Sequence, residues 1–173
     1  MRATSLRRVR AQWETTLALL KPDLLADAAR VRAVEQEIGQ QFHVQERRQI
    51  AWTRAQAEAF YAEHQGRPFF GRLVGYMTSG PFVALALAGP QAVSQWRKTM
   101  GGTRPVQMRV RNPASLRARF GLTDTRNSFH GSDSAETARR ELAFLFGDSK
   151  LDRNWEHTSP QAGNLPPSSG DTC

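Results

Sequence analysis

Phe82-Val83-Ala84-Leu85-Ala86-Leu87-Ala88 is apolar at every position. A strand covered on both faces has that pattern, because neither row of alternating side chains meets water. The stretch therefore predicts a core strand. Gly89-Pro90 is expected to end it, and Pro90 then sits at the first turn of a helix over Gln91 to Met100. Upstream, Ser79-Gly80-Pro81 closes a short helix over Pro68 to Met77. Gly66 separates that helix from an earlier one, which opens on Thr53-Arg54-Ala55-Gln56 and runs to about Glu63. The Thr-x-x-Gln spacing suits a capping box, in which hydroxyl and amide satisfy free N–H groups reciprocally. His43 to Trp52 is mixed, with Val44 and Ile50 as apolar points, and reads as a strand. Residues 24, 28, 31, 34, 38 and 42 are apolar at spacings of three and four, which predicts one amphipathic helix over Leu24 to Phe42. Thr15 to Leu20, bounded by Lys21-Pro22-Asp23, reads as a second buried strand.

Downstream, Gly101, Gly102, Pro105 and Pro113 predict a long loop over residues 101–114. Ser115 to Phe120 suits a single helical turn, and residues 127–132 an extended segment. Asp133 or Ser134 can cap a helix through about Phe146, with Ala138, Leu142, Leu145 and Phe146 on one side. Strands and helices so interspersed predict an antiparallel α+β sheet.

The chain has 173 residues, of which 39% are hydrophobic and 23% charged. That suffices for one domain with a real core. No apolar run approaches the ~18 residues of a membrane span. The net charge of +8 attracts anions: nucleotides, nucleic acid or acidic membrane surfaces. Cys173 is the single cysteine, so neither an internal disulfide nor a cysteine zinc site is available. A reducing compartment is the default. Arg2, Arg7, Arg8 and Arg10 precede the first acid, Glu14. Two readings fit this start: a mitochondrial transit peptide, or a basic unstructured segment in a cytoplasmic protein. From Ser159 onward the chain is rich in Ser, Pro, Gly, Asn and Asp, which predicts a disordered tail.

The string Asn127-Ser128-Phe129-His130-Gly131-Ser132-Asp133-Ser134 resembles the active-site signature of nucleoside diphosphate kinases. Other strings match in the family's order: Lys21-Pro22-Asp23, Tyr61, Arg67-Pro68-Phe69-Phe70, Ser79-Gly80-Pro81, then Arg97, Thr103 and Pro105. The resemblance covers residues 15–148, leaving a basic extension at 1–14 and a C-terminal extension at 149–173. Gly121-Leu122-Thr123-Asp124-Thr125-Arg126-Asn127 is similar to the family's divergent type 6 branch, and extra residues lie between Pro105 and Arg117.

The resemblance implies a ferredoxin-like fold, a four-stranded antiparallel sheet covered by helices. It also implies ping-pong transfer of a γ-phosphoryl group between nucleoside tri- and diphosphates through a phosphohistidine, with Mg²⁺. The longer loop lies where the family's subunits pack into a hexamer, so the hexamer is not carried over. Through the type 6 branch the resemblance also offers an alternative: a weakly active or inactive kinase-like protein acting through a mitochondrial protein partner. Nucleic-acid binding, suggested by the net charge and Arg2 to Arg10, comes third.

Histidine suits a phosphoryl relay because a neutral imidazole nitrogen is nucleophilic near neutral pH. By resemblance, His130 is that nucleophile and Glu141 orients its other nitrogen. Glu141 lies well into the following helix, so it reaches His130 only if the strand end folds back beside that helix. Charge spread over a transferring phosphoryl group calls for fixed cations and donors. Arg97, Arg117 and Thr103 match the family's phosphate-binding residues, and Tyr61 matches one that holds phosphate or histidine. Lys21 and Asn127 match ribose-binding positions, and Lys21 also serves the phosphates. Phe69 matches an aromatic that stacks on the base, and stacking tolerates any base. Ser132 is expected to hydrogen-bond near His130 and Glu141. Asp133 is expected chiefly as a helix cap, with a water-mediated contact to Mg²⁺ second. No protein group is assigned as a direct metal ligand, since Mg²⁺ is commonly held through nucleotide phosphates and water.

Overall fold

The computed structural model describes residues 13–147. The basic start up to residue 12 and the C-terminal extension lie outside the described residues. Strand β1 (Trp13–Leu20) leads into a short helix α1 (Pro22–Leu25) and helix α2 (Ala28–Gln41). The single helix expected over Leu24 to Phe42 is thus two. Asp27 breaks it: extended itself, it accepts the free N–H groups of Ala29 and Arg30 and starts α2 afresh. Val31, Val34 and Ile38 are buried as the spacing requires, whereas Ala28 in the new first turn is exposed.

Strand β2 (His43–Ile50) follows, then α3 (Arg54–Phe60), which begins with the expected Thr53–Gln56 capping box. A short 3-10 turn at Ala62–His64 leads to α4 (Phe70–Met77) and β3 (Phe82–Pro90). Gly89 and Pro90 do not end the apolar strand. They extend it, pairing with Glu14 and Trp13 of β1. Proline is tolerated there because it stands at the strand's last position. Helix α5 (Ala92–Met100) therefore starts later than expected, after Gln91 in a left-handed conformation.

Half of the expected loop over residues 101–114 is helical: α6 (Pro105–Arg111). Pro105 stands at its first turn, where a missing N–H costs nothing. Arg109 fastens α6 to α7 (Leu116–Phe120) by donating to the carbonyls of Ala118 and Gly121. Strand β4 (Phe129–Gly131) and α8 (Ala135–Phe146) complete the described chain, and Ser134, not Asp133, caps α8.

The four strands form one antiparallel sheet in the order β2-β3-β1-β4. Both central strands are covered on both faces, which explains why neither alternates with polar residues. Leu17, Leu19, Phe82, Ala84 and Ala86 face α3, α4 and α8. Ala18, Leu20, Val83, Leu85 and Leu87 face α2 and α5. The arrangement is the ferredoxin-like α+β fold.

Strand β4 is only three residues long, so its register decides where its side chains go. Leu20 pairs with Phe129, Leu19 with His130 and Ala18 with Gly131. Paired residues share a face. Phe129 thus enters the core under α2 and α5, and His130 turns to the face of α8 and Tyr61. Gly131 returns to the first face, against Trp96. A Cβ built on Gly131 would lie 2.4 Å from the Trp96 ring and 2.7 Å from Met100. Trp96 in turn donates its indole N–H to the His130 carbonyl at 3.0 Å. Gly131→Ala should force Trp96 or β4 aside. The expected loss is about 1–3 kcal/mol, as for other overpacked cores, measured as a lowered midpoint in urea unfolding.

Candidate active site

His130 is held from behind. Its Nε2 lies 3.1 Å from each carboxylate oxygen of Glu141, and Ser132 donates its hydroxyl to the same carboxylate at 2.6 Å. The fold-back that this contact needs is supplied by the turn from β4 into α8, capped by Ser134. A carboxylate accepts only, so Nε2 is the nitrogen that donates to Glu141, and Nδ1 is the one turned away from it. Glu141 and Ser132 are buried, while the His130 side chain remains 19% exposed. The imidazole is also packed edgewise by Phe60 and Tyr61, with ring centroids 5.5 Å and 6.1 Å away.

The Tyr61 hydroxyl is buried and has no hydrogen-bond partner. Burial, and the Glu141 charge after it, push its ionisation well above the ordinary range. It therefore stays a neutral donor next to the imidazole, available to an incoming acceptor.

The Lys21 turn meets the turn before β4 from the other side. The Lys21 N–H donates to the Ser128 carbonyl at 2.9 Å, and its Nζ donates to Asn127 Oδ1 at 2.9 Å. Lys21 is buried, and desolvation followed by the nearby Arg117 charge lowers its pKa to about 7, with Asp23 acting in the opposite sense. Arg117 comes from α7. Its guanidinium donates to the carbonyls of Gly101 and Phe129, and its buried Nε lacks a partner. Burial, then Arg97, lower its pKa to about 10, so it remains a cation at neutral pH. Arg97, exposed on α5, acts electrostatically on both Arg117 and Asp133. Asp133 lies on the surface, where a hydrogen bond from Thr137 and then the Arg97 charge favour its ionised form.

Residues 14–151 match the family model described as nucleoside diphosphate kinase. The chain belongs to the nucleoside diphosphate kinase family. It is 46% identical to zebrafish nucleoside diphosphate kinase 6 over 133 residues, spanning 77% of this chain and 76% of that one. The human nucleoside diphosphate kinase 6 is 44% identical over 149 residues, 86% of this chain and 80% of that one. A Deinococcus radiodurans nucleoside diphosphate kinase is 41% identical over 80% of this chain and 98% of its own. Among solved structures, the Aquifex aeolicus nucleoside diphosphate kinase superposes with a TM-score of 0.76 at 35% identity, covering 81% and 99% of the two chains.

Within this kinase fold, His130, Glu141, Ser132 and Tyr61 form one connected cluster. Lys21, Asn127 and Arg117 form a second, joined to the first through β4. Thr103 is exposed at the start of the α6 segment, and its carbonyl lies 3.5 Å from the Asn127 amide. Phe69 stands 39% exposed before α4 and packs edgewise on His64, with centroids 5.5 Å apart. It is thus no ordinary core aromatic and is free on one side. A polar cleft of about 610 Å³ between α2, α5 and residues 112–115 includes Lys98 and Gln95 but none of the predicted site residues.

Two features escape a motif search. Asp23, Ser128 and Tyr76 are linked behind Lys21. That linkage depends on the left-handed backbone of Ser128, which no local pattern announces. The other feature is legible once sought. From His64 to Thr123 there is no Asp or Glu, while nine Lys and Arg residues occur. That acid-free run supplies Arg97, Arg117 and their surroundings.

If Glu141 sets the tautomer, Glu141→Ala should leave His130 as a mixture of Nδ1–H and Nε2–H forms. Long-range ¹H–¹⁵N correlation spectra of the ring would check this. The native protein should show the Nε2–H form, and a native mixture would refute the assignment.

Proposed function

We propose that the protein is an active nucleoside diphosphate kinase that moves the γ-phosphoryl group of a nucleoside triphosphate to a nucleoside diphosphate through His130. The observation that carries this reading is the imidazole itself. One nitrogen is fixed by a buried carboxylate, while the side chain that carries the other stays 19% exposed.

In the first half-reaction Nδ1 of His130 attacks the γ-phosphorus. A P–N bond forms, the bond to the bridging oxygen breaks, and the diphosphate leaves with that electron pair. The positive charge that develops on the ring is stabilised by the Glu141 carboxylate, while Nε2 keeps its proton. In the second half a terminal oxygen of another diphosphate attacks the same phosphorus, and the electrons of the P–N bond return to Nδ1. Arg97 and Arg117 balance the spreading negative charge. The Tyr61 hydroxyl gains a partner for its orphaned donor. Lys21 and Asn127 hold the ribose, and the open face of Phe69 receives any base.

Among the described residues no three His, Cys, Asp or Glu side chains converge as metal ligands. Mg²⁺ would be held on the nucleotide phosphates and by water, arriving with the substrate. Bound there, it would neutralise phosphate charge. Asp133, whose ionised form Thr137 and Arg97 favour, would be the acid to hold one of its waters.

A second reading, action through a protein partner, is favoured by α6. Val106 and Val110 on that helix are 64% and 85% exposed. Such side chains one turn apart share a face. We carry a mitochondrial location forward as part of this proposal, from the arginines at positions 2–10; the N-terminus of the mature protein isolated from cells tests it.

The kinase reading is tested with γ-labelled ATP and Mg²⁺ and no acceptor. The native protein should take up acid-labile phosphate, pass it to an added nucleoside diphosphate, and lose this ability in His130→Ala. Native protein that binds nucleotide but stays unlabelled would turn attention to the partner.

A further inference from the structure

Ser128 adopts a left-handed backbone, φ 66°, two residues before the nucleophile. That conformation is rare for a residue with a Cβ. Ser128 is 1% exposed and is held on three sides. Its hydroxyl donates to Asp23 Oδ2 at 2.7 Å, its carbonyl accepts from the Lys21 N–H, and its chain neighbour Asn127 accepts from Lys21 Nζ. The other oxygen of Asp23 accepts from the Tyr76 hydroxyl. Asp23 is thus the knot between two turns, one bearing Lys21 and one bearing Asn127 and His130, that are more than a hundred residues apart in the chain.

We propose that Asp23, gripped by Ser128 and Tyr76, is a positioning residue that fixes the Asn127–His130 turn against the Lys21 turn. The proposal rests on the kinase reading for its catalytic part. The groups facing Lys21 are few. Asp23 approaches from α1 and Arg117 from α7. The Tyr76 ring comes from α4, its centroid 5.7 Å from Nζ, and Asn127 approaches from the turn before β4. Burial and Arg117 both disfavour the ammonium, and Asp23 is the acid opposing them. Tyr76, kept protonated by burial and by Asp23, holds that carboxylate in place and adds no charge of its own. The sign follows: remove the Asp23 charge and Lys21 loses its proton at lower pH. The nucleotide site then lacks a cation near neutrality.

The chain has three lysines, Lys21, Lys98 and Lys150, so lysine-selective ¹³C labelling gives a readable titration. Lys98→Arg and Lys150→Arg assign the remaining signal. In the native protein Lys21 should titrate near its lowered value of about 7. In Asp23→Asn, close in shape but uncharged, the midpoint should fall by about one pH unit. An unchanged midpoint overturns the electrostatic role, and this holds whether or not the protein is a kinase.

A second arm compares Ser128→Ala with Ser128→Gly. Glycine accepts the backbone conformation freely but cannot grip Asp23. Both should slow phosphohistidine formation about tenfold or more, since small misplacements of reacting groups are costly. A Ser128→Gly protein that matches native rates overturns the positioning role. Native protein that takes no label removes the kinase reading and the positioning role with it, while the titration still decides for or against Asp23 as the guardian of Lys21.

Discussion

The pairing of three residues of β4 with β1 is the constraint from which the site follows. It is a short contact, Leu20 to Ala18 against Phe129 to Gly131, yet it assigns each β4 side chain to a face. A slip of one residue would bury His130 under Trp96 and turn Phe129 toward Glu141. The register is pinned from both sides. Phe129 fills the core under α5, and Gly131 admits the Trp96 ring where any larger residue would collide. Trp96 then takes the carbonyl of His130, so the strand cannot roll.

Around this contact the charges are arranged in layers. Glu141 is buried with Ser132 and acts on the imidazole and on Tyr61. Lys21 and Arg117, in the second cluster, are also buried and deprived of water, which weakens their hold on protons and strengthens their pull on an anion that reaches them. Arg97 and Asp133 form the exposed outer layer.

Much of this was legible in the residues. The unbroken apolar run at 82–88 announced a strand covered on both faces, and the Thr53–Gln56 spacing announced a helix start. Both follow from local rules. The string Asn127 to Ser134 drew attention to His130, and the resemblance supplied Glu141. Other features were hidden for physical reasons. The break at Asp27 lies inside an intact pattern of threes and fours, because one side chain stopped the helix without disturbing its apolar face. The helix at 105–111 was masked by glycines and prolines that bound it without entering its interior, and Arg109 secures it through carbonyls on α7. The strand end at Gly89-Pro90 was misread because tertiary pairing with β1 outweighs the turn preference of those two residues. The knot at Asp23 joins residues 105 positions apart in the chain, and no window along the sequence contains it.

That separation also governs when the protein can become competent. β1 meets β3 early in sequence terms, but its other edge waits for β4, which lies more than a hundred residues downstream. Closing so long a span is entropically late and kinetically slow compared with local contacts. A ribosome must therefore release nearly the whole domain before Lys21 and His130 can meet. Until then the growing chain displays an unpaired β1 edge flanked by apolar residues, the kind of surface that invites association with other chains. The strand that carries His130 is the piece that seals this edge, so bringing His130 to Lys21 and removing the hazard are one event in the life of the molecule.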